Sequence, residues 1–225
     1  MNSITDNLAQ INAQIQRAEA EAHRHPGSVN LLAVSKTQTA SVIAAAYLAG
    51  QRHFGENYLQ EALQKQTELS AFDICWHFIG PIQTNKTRLI ATRFTWVHSV
   101  DRFKIAERLS AQRPAHLPPL NICLQVNISQ EQSKSGIMLA DLPAMVASVQ
   151  QLPNLRLRGV MAIPEPESNF ELQRVPFRTL FHAVQQLHKP ELDTYSMGMS
   201  ADLVAAIVEG ATWVRIGSAL FGART

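Results

Sequence analysis

The stretch LLAVSKTQ, residues 31–38, combines a strand-like apolar run with a lysine at its end. Its first half is an apolar run typical of a buried strand, yet the run ends at Lys36. Lysine is almost never fully buried without a partner. A lysine at this position therefore indicates either an exposed loop or a chemical use, and the rest of the sequence has to decide between them.

Seven more short apolar runs follow the first, and segments with helical periodicity lie between them. Strand followed by helix, eight times over, predicts a parallel sheet wrapped by helices, and eight such units close into a (β/α)8 TIM barrel. An open doubly wound sheet is the alternative, weakened by the lack of a G-x-G-x-x-G after the first strand. The predicted strands are NLLAVSK from residue 30, RHFGEN from 52, CWHFIG from 75, TWVHSV from 95, NICLQVNI from 121, LRGVMAI from 157, DTYSMG from 193 and TWVRIGS from 212.

Length and composition indicate one globular domain over residues 1–225, with an extra helix before the first strand. The 225 residues are 46% hydrophobic, which is enough to bury a sizeable core. A formal net charge of +2 gives no support for nucleic-acid binding. Only Cys75 and Cys123 are present, both in apolar segments, and neither a signal peptide nor a membrane span is visible. We therefore expect a cytoplasmic protein that binds neither nucleic acid nor membrane.

Polar or small residues stand at the ends of nearly all the predicted strands. In a barrel of this class the functional face is built from the carboxyl ends of the strands and the loops that follow them. Strand one, with Lys36, is the neighbour of strand eight in a closed barrel. The candidate residues at these ends are Lys36, Asn57, His77 with Gly80, His98, Asn127, Met161, residues 197–200 and residues 215–218.

The end of strand eight, RIGSALFG, has the composition of a phosphate site. Gly217 lets the backbone approach an anion closely, and Ser218 adds a hydroxyl at the start of the following turn. Ser200 in SMGMSADL is predicted to be the N-cap of a helix, where its hydroxyl either caps the helix or faces a phosphate.

A lysine beside a phosphate site suggests a cofactor that carries both an aldehyde and a phosphate. Pyridoxal 5′-phosphate (PLP) has both groups, and it binds lysine as a Schiff base. Arg215 then has a role, since a guanidinium can only donate hydrogen bonds and would leave the pyridine nitrogen unprotonated. The cofactor would be a weaker electron sink as a result.

Several long motifs carry a resemblance that spans nearly the whole chain. The sequence resembles the pyridoxal phosphate homeostasis protein family, whose barrel is similar to the N-terminal domain of alanine racemase. The motifs are AVSKTQ, HFGENYLQE, WHFIGPIQTNK, HSVD, QVNIS leading to KSGI, RGVMAI, SMGMSADLVAAI and GATWVRIGSALFGAR.

The resemblance implies a single-domain barrel that holds PLP on Lys36. It implies phosphate contacts from Ser200, Gly217 and Ser218, a ring-nitrogen contact from Arg215, and a position beside the cofactor for Asn57. Lys134 matches a second family lysine that interacts with the cofactor or accepts it transiently.

The sequence is consistent with two functions. The first is a PLP carrier without appreciable catalysis, which passes the cofactor to PLP-dependent apoenzymes. The second is an amino-acid racemase or a related PLP enzyme. Alanine racemase takes a second acid/base from a C-terminal domain, and this sequence ends eight residues after Gly217, so we expect the carrier. We also expect a monomer, because alanine racemase dimerises through that domain.

Overall fold

A computed structural model of the protein describes residues 3–129 and 135–222. Eight strands, all parallel, pair in sequence order, and β8 closes onto β1 to form a barrel. The predicted barrel is therefore confirmed. The strands are β1 (Asn30–Val34), β2 (His53–Glu56), β3 (Cys75–Phe78), β4 (Trp96–Val100), β5 (Leu120–Gln125), β6 (Leu155–Met161), β7 (Thr194–Ser196) and β8 (Trp213–Ile216).

Helices follow the strands on the outside of the barrel, and their apolar faces cover it. Strand residues alternate between the two faces of the sheet, so Leu120, Ile122 and Leu124 of β5 join the main core beneath the helices. The helices are α1 (Ile4–Glu21), α2 (Ala40–Leu48), α3 (Leu59–Glu68), α4 (Thr87–Arg93), α5 (Phe103–Gln112), α6 (Leu142–Val149), α7 (Phe170–Gln185), α8 (Leu203–Val208) and α9 (Ser218–Phe221), with 3-10 turns at Thr84–Lys86 and Leu139–Asp141.

The extra N-terminal helix, α1, is present as predicted. Ser3 and Asp6 form a reciprocal capping box that satisfies two of the backbone N–H groups at its start. Leu8, Ile11 and Ile15 lie one helical turn apart and are buried. This face packs on α8 and α9, so α1 covers the helices that flank β8.

The interior of the barrel contains polar side chains that sequence patterns placed elsewhere. His77 and His98 were predicted at the carboxyl ends of their strands, but they lie within β3 and β4. Both are fully buried, and His98 on β4 reaches across the barrel to Ser196 on β7. Strand ends predicted from sequence are uncertain by a few residues, which is enough to move a side chain from the mouth to the interior.

Among the described residues, no helix combines the length and hydrophobicity that crossing a bilayer requires.

Candidate functional site

Lys36 lies two residues beyond the end of β1, in a turn at the carboxyl end of the barrel. Because β1 pairs with both β8 and β2, this turn stands between the loops that follow those two strands. The Lys36 side chain is half-buried. Within the described part of the chain its amine makes neither a hydrogen bond nor an ion pair, so it is available to a ligand.

The residues on either side of Lys36 are held by helix α3. Lys65 donates a hydrogen bond to the carbonyl oxygen of Ser35 at 2.7 Å, and the Thr37 amide donates to Glu61 at 2.5 Å. Thr37 has a φ of 65°, which is a strained backbone conformation for a β-branched residue. The turn is therefore fixed by contacts at both flanks, while the lysine between them is left unengaged.

A buried ion cluster lies directly beneath this turn. The Lys65 amine is 2.8 Å from Glu56 and 2.5 Å from Glu61, and Ser35 donates its hydroxyl to Glu56 at 2.6 Å. Burial raises the pKa of Glu56, although the bonds from Lys65 and Ser35 offset part of that effect. One oxygen of Glu56 is buried without a hydrogen-bond partner in the described structure. The cluster supports the turn, since Lys65 and Glu56 are buried and both contact Ser35, the residue before Lys36.

Arg215, in β8, extends across the carboxyl ends of β6 and β7. Its Nη1 donates to the carbonyl and hydroxyl oxygens of Ser196 at 2.5 and 3.0 Å, and its Nη2 donates to the carbonyl of Ala162 at 2.9 Å. All of these acceptors are neutral. A guanidinium has five N–H donors, so Nε and one position on Nη2 remain for other contacts.

The electrostatic setting of Arg215 favours a ligand that accepts hydrogen bonds. The residue is 4% exposed, and burial lowers its pKa to about 10. Asp202 partly offsets that shift through its charge, but the described residues form no direct ion pair with Arg215. A buried cation bonded only to neutral acceptors is costly, and an electron-rich partner would reduce that cost.

Gly217 and Ser218 lie beside the turn that carries Lys36. Gly217 immediately follows β8, and a side chain at this position would begin 3.3 Å from the carbonyl oxygen of Val34 in β1. Ser218 is exposed and opens the short helix α9. The first amides of a helix have no intrahelical acceptor, so the amides here point out of α9 at the barrel mouth.

Ser200 does not cap a helix, and that prediction is wrong. Helix α8 begins at Leu203 with Asp202 at its N-cap, and Ser200 lies in the preceding turn. The Asp202 carboxylate accepts a hydrogen bond from the Met199 amide at 2.5 Å, which forms a turn where sequence alone suggested a helix start. Ser200 is exposed at the carboxyl end of β7, so its hydroxyl is accessible from the mouth.

Asn57 follows β2 and lines a cavity of about 340 Å³ at the same end of the barrel. Its side-chain oxygen is buried and makes no hydrogen bond within the described structure. Gly80 allows the next loop to approach closely, because a side chain there would begin 2.0 Å from the Asn57 carbonyl oxygen. The other residues lining the cavity are Ile79, Pro81, Gln125, Val126, Asn127, Ser135, Met161 and Ile163.

Of the predicted site residues, six lie at the carboxyl ends of β1, β2, β7 and β8, and one is not described. Lys134 lies outside the described residues, within the segment that follows β5. The structure therefore brings Lys36, Asn57, Ser200, Arg215, Gly217 and Ser218 to one end of the barrel.

Sequence patterns missed the residues that support these side chains. Ser196 and Ala162 orient Arg215, while Glu61 and Lys65 hold the turn at Lys36. The sequence did indicate the ion pair between Glu61 and Lys65, since these residues are four positions apart on one helix. The sequence held no comparable signal for Ala162, which contributes only its carbonyl oxygen.

The arrangement can bind an anionic aldehyde with an acceptor nitrogen. Lys36 supplies a free amine, the start of α9 supplies amides for an anion, and Arg215 supplies a fixed donor. PLP has these three features, so the residues present fit it. The unpartnered oxygen of Asn57 adds a hydrogen-bond acceptor at the same mouth.

Comparison with known proteins gives the same assignment over the whole chain. The alanine racemase N-terminal domain family matches residues 7–225. The pyridoxal phosphate homeostasis protein of Pseudomonas aeruginosa is 61% identical over 224 residues, covering 100% of this chain and 97% of that protein.

Solved structures show how far the similarity extends. PipY of Synechococcus elongatus, in its structure with PLP bound, has a TM-score of 0.86 and 38% identity, covering 98% of this chain and 100% of that one. Alanine racemase from Corynebacterium glutamicum shares the fold, with a TM-score of 0.70 at 15% identity over 96% of this chain and 59% of that one. The chain therefore belongs to the alanine racemase N-terminal domain family and, within it, to the pyridoxal phosphate homeostasis proteins.

Proposed function

We propose that this protein binds PLP at the carboxyl end of the barrel and serves as a carrier in PLP homeostasis. The observation that carries the proposal is the state of Lys36, whose flanking residues are held by α3 while its own amine has no partner among the described residues. The name of the P. aeruginosa relative and the PLP bound to PipY support the same role.

Lys36 holds the cofactor covalently as a Schiff base. With PLP bound, its neutral amine would be the nucleophile for the aldehyde carbon; a C=N bond would replace the C=O bond, and the oxygen would leave as water with two protons from the amine. The fixed flanks lower the entropy lost on attachment, since only the lysine side chain has to be ordered. Lys134 is proposed as a transient acceptor when Lys36 is absent.

The phosphate is held jointly by Ser200, Gly217 and Ser218. Two exposed hydroxyls and the open amides of α9 offer several neutral donors, none of which dominates. The loss of one neutral hydrogen bond costs about 0.5–1.5 kcal/mol, so substitution of either serine weakens binding about tenfold at most. Asn57 lies beside the cofactor in the adjoining cavity.

The protein has little or no catalytic turnover. Bound PLP supplies an electron sink for negative charge at the substrate α-carbon when its ring nitrogen is protonated. Arg215 donates to that nitrogen and holds it unprotonated, and Ser196 and Ala162 keep the guanidinium from turning away. We further propose a single PLP-binding domain over residues 1–225, acting as a cytoplasmic monomer that delivers PLP to PLP-dependent apoenzymes.

Absorption titration tests the binding proposal. Purified protein is titrated with PLP and, separately, with pyridoxal, which lacks the phosphate. We expect a band at the visible edge that borohydride removes and that is strongly reduced in Lys36→Ala, where only transient capture by Lys134 remains, whereas Lys104→Ala, at an exposed position, retains it in full. Equal affinity for PLP and pyridoxal would rule out the phosphate site, and an unchanged band in Lys36→Ala would rule out attachment there.

Isotope exchange tests the absence of turnover. The PLP-loaded protein is incubated with L- and D-alanine in deuterated water, and loss of the α-proton is followed together with optical purity. We expect no exchange above free PLP. Exchange that depends on Lys36, at about 1 per second or faster, would establish a racemase instead.

A further inference from the structure

Three metal-binding side chains meet at the amino end of the barrel, away from the proposed PLP site. His53 opens β2 and pairs directly with Cys75, which opens β3. Cys75 and His77 are two positions apart on β3, so their side chains lie on the same face of the sheet. The three side chains therefore point toward one another at the edge of the barrel interior.

The distances among the three donor atoms suit a single tetrahedral ion. His53 Nδ1 is 3.0 Å from His77 Nε2, and Cys75 Sγ is 3.5 Å from the same nitrogen. All three donor atoms lie within 4.8 Å of one another. Around a Zn²⁺ with bonds of about 2.0 Å to nitrogen and 2.3 Å to sulfur, tetrahedral geometry places two nitrogens about 3.3 Å apart and nitrogen and sulfur about 3.5 Å apart. The His53–His77 and Cys75–His77 separations are within a few tenths of an ångström of these values, and the His53 and Cys75 donor atoms lie within 4.8 Å of each other.

The orientation of His77 is fixed by contacts behind it. Its Nδ1 is 2.9 Å from His98 Nε2, and His98 Nδ1 is 2.7 Å from the hydroxyl of Ser196. The His77 ring also stacks on Trp96, with the ring planes 7° apart. With a metal on Nε2, the His77 proton lies on Nδ1 and is donated to His98. Such outer contacts are what hold a ligating histidine in one tautomer.

The chemistry of the three donors indicates which ion would bind, and the partial exposure of two of them gives the ion access. Two imidazoles and one thiolate are soft to borderline ligands, which in tetrahedral geometry suit Zn²⁺. His53 and Cys75 are half-buried, so the fourth position can be taken by water from the amino end of the barrel. On binding, the Cys75 thiol gives its proton to solvent and the sulfur becomes a ligand, so one Zn–S bond replaces one S–H bond.

We propose that His53, Cys75 and His77 form a binding site for one Zn²⁺ ion. The metal cross-links β2 and β3 at the end of the barrel opposite the turn that carries Lys36. None of its three ligands is among the residues proposed to hold PLP, although His98 and Ser196 connect His77 to Arg215 through hydrogen bonds. Its effect is on stability, through preferential binding to the folded state.

The experiment uses the full chain without an affinity tag, since a histidine tag would itself bind the ion. Protein stripped with chelator is titrated with Co²⁺ as a spectroscopic probe, and then with Zn²⁺ against a coloured chelator. We expect one equivalent of Co²⁺ with a thiolate charge-transfer band, displaced by one equivalent of Zn²⁺. A hundredfold excess of Zn²⁺ over its Kd should raise Tm by about 5–10 °C.

Matched variants separate this site from adventitious binding. Cys75→Ser and His53→Gln change half-buried positions and should each weaken Zn²⁺ binding at least about tenfold, with the charge-transfer band absent in Cys75→Ser. Cys123→Ala and His116→Gln, the second at an exposed histidine, should bind as the parent protein does. Circular dichroism confirms that each variant is folded.

Three outcomes would overturn the proposal. These are no bound Co²⁺ at about 0.1 mM, binding that survives in both Cys75→Ser and His53→Gln, and binding that is lost equally in the control variants. Reduction of the PLP-loaded protein with borohydride should leave Zn²⁺ binding unchanged, so failure here leaves the proposed PLP function untouched.

Discussion

Two lysines on neighbouring elements show opposite ways of placing an amine in a barrel. Lys65, on α3, is 5% exposed and contacts Glu56, Glu61 and the carbonyl oxygen of Ser35. Lys36, in the turn after β1, is half-buried and has no hydrogen bond or ion pair among the described residues. The first amine is fully committed to the fold, while the second is available for chemistry.

The contrast shows how the fold can fix the backbone around a lysine while leaving its amine accessible. Lys65 holds the residue before Lys36, and Glu61 holds the residue after it. Glu61 contacts both Lys65 and the amide of Thr37, so the turn is held on both sides while the Lys36 amine has no ion-pair partner among the described residues. Lys65, which stabilises the fold, thus helps to position the turn that carries Lys36.

The largest expected effect on stability follows removal of the Lys65 amine. Lys65→Met keeps the side-chain volume and leaves Glu56 buried without its partner, which should cost about 3–5 kcal/mol of unfolding free energy. Lys36→Met should cost less than about 1 kcal/mol, because it breaks no ion pair. Urea unfolding of both variants measures the contrast, with the exposed Lys104→Met as control. Similar losses for Lys65 and Lys36 would show that the two lysines do not differ in role.

A substitution that adds bulk but no charge tests how tightly the loops after β2 and β3 are packed at the barrel mouth. In Gly80→Ala the new Cβ would lie 2.0 Å from the carbonyl oxygen of Asn57, so the backbone must shift. We expect a loss of about 1–3 kcal/mol and weaker PLP binding. Gly217→Ala is the matched variant, since its Cβ would stand 3.3 Å from the nearest atom and should cost less. Thermal unfolding compares the two, and a larger loss for Gly217→Ala would contradict the geometry of the mouth.

The smallest expected effect is a change in how stability depends on pH. Burial raises the pKa of Glu56 above its ordinary 4.5, so the folded protein holds this proton more tightly than the unfolded chain does. Stability from this group is therefore lost as pH rises from about 4.5 through the raised pKa. Glu56→Gln removes that loss. Urea unfolding at several pH values should show wild type losing stability relative to Glu56→Gln across this interval, and a relative gain would contradict the direction of the shift.

Sequence patterns were sufficient to predict the barrel because its repeating unit is local. Each of the eight apolar runs overlaps a strand of three to seven residues, and the alternation with helices left few other ways to cover both faces of a parallel sheet. The adjacency of Lys36 to the end of β8 followed from closure of the barrel alone. No long-range information was needed for either inference.

The features that sequence patterns predicted wrongly or missed depend on competition between nearby residues for a cap position, on exact strand ends, or on contacts between distant residues. Ser200 was expected to cap α8, but Asp202 forms a turn with Met199 and takes that position. His77 and His98 lie too early in their strands to reach the mouth. The cluster of Glu56, Lys65 and Ser35 joins residues up to 30 positions apart, which a single sequence does not reveal.

The measurement that tests the account most directly is a peptide map after reduction. The PLP-loaded protein is treated with borohydride, digested, and examined by mass spectrometry for a pyridoxyl group on each lysine-containing peptide. The account predicts that the main modified residue is Lys36 and that Lys65, enclosed by its carboxylates, remains unmodified. A main product on Lys65, or on any lysine other than Lys36, would contradict it.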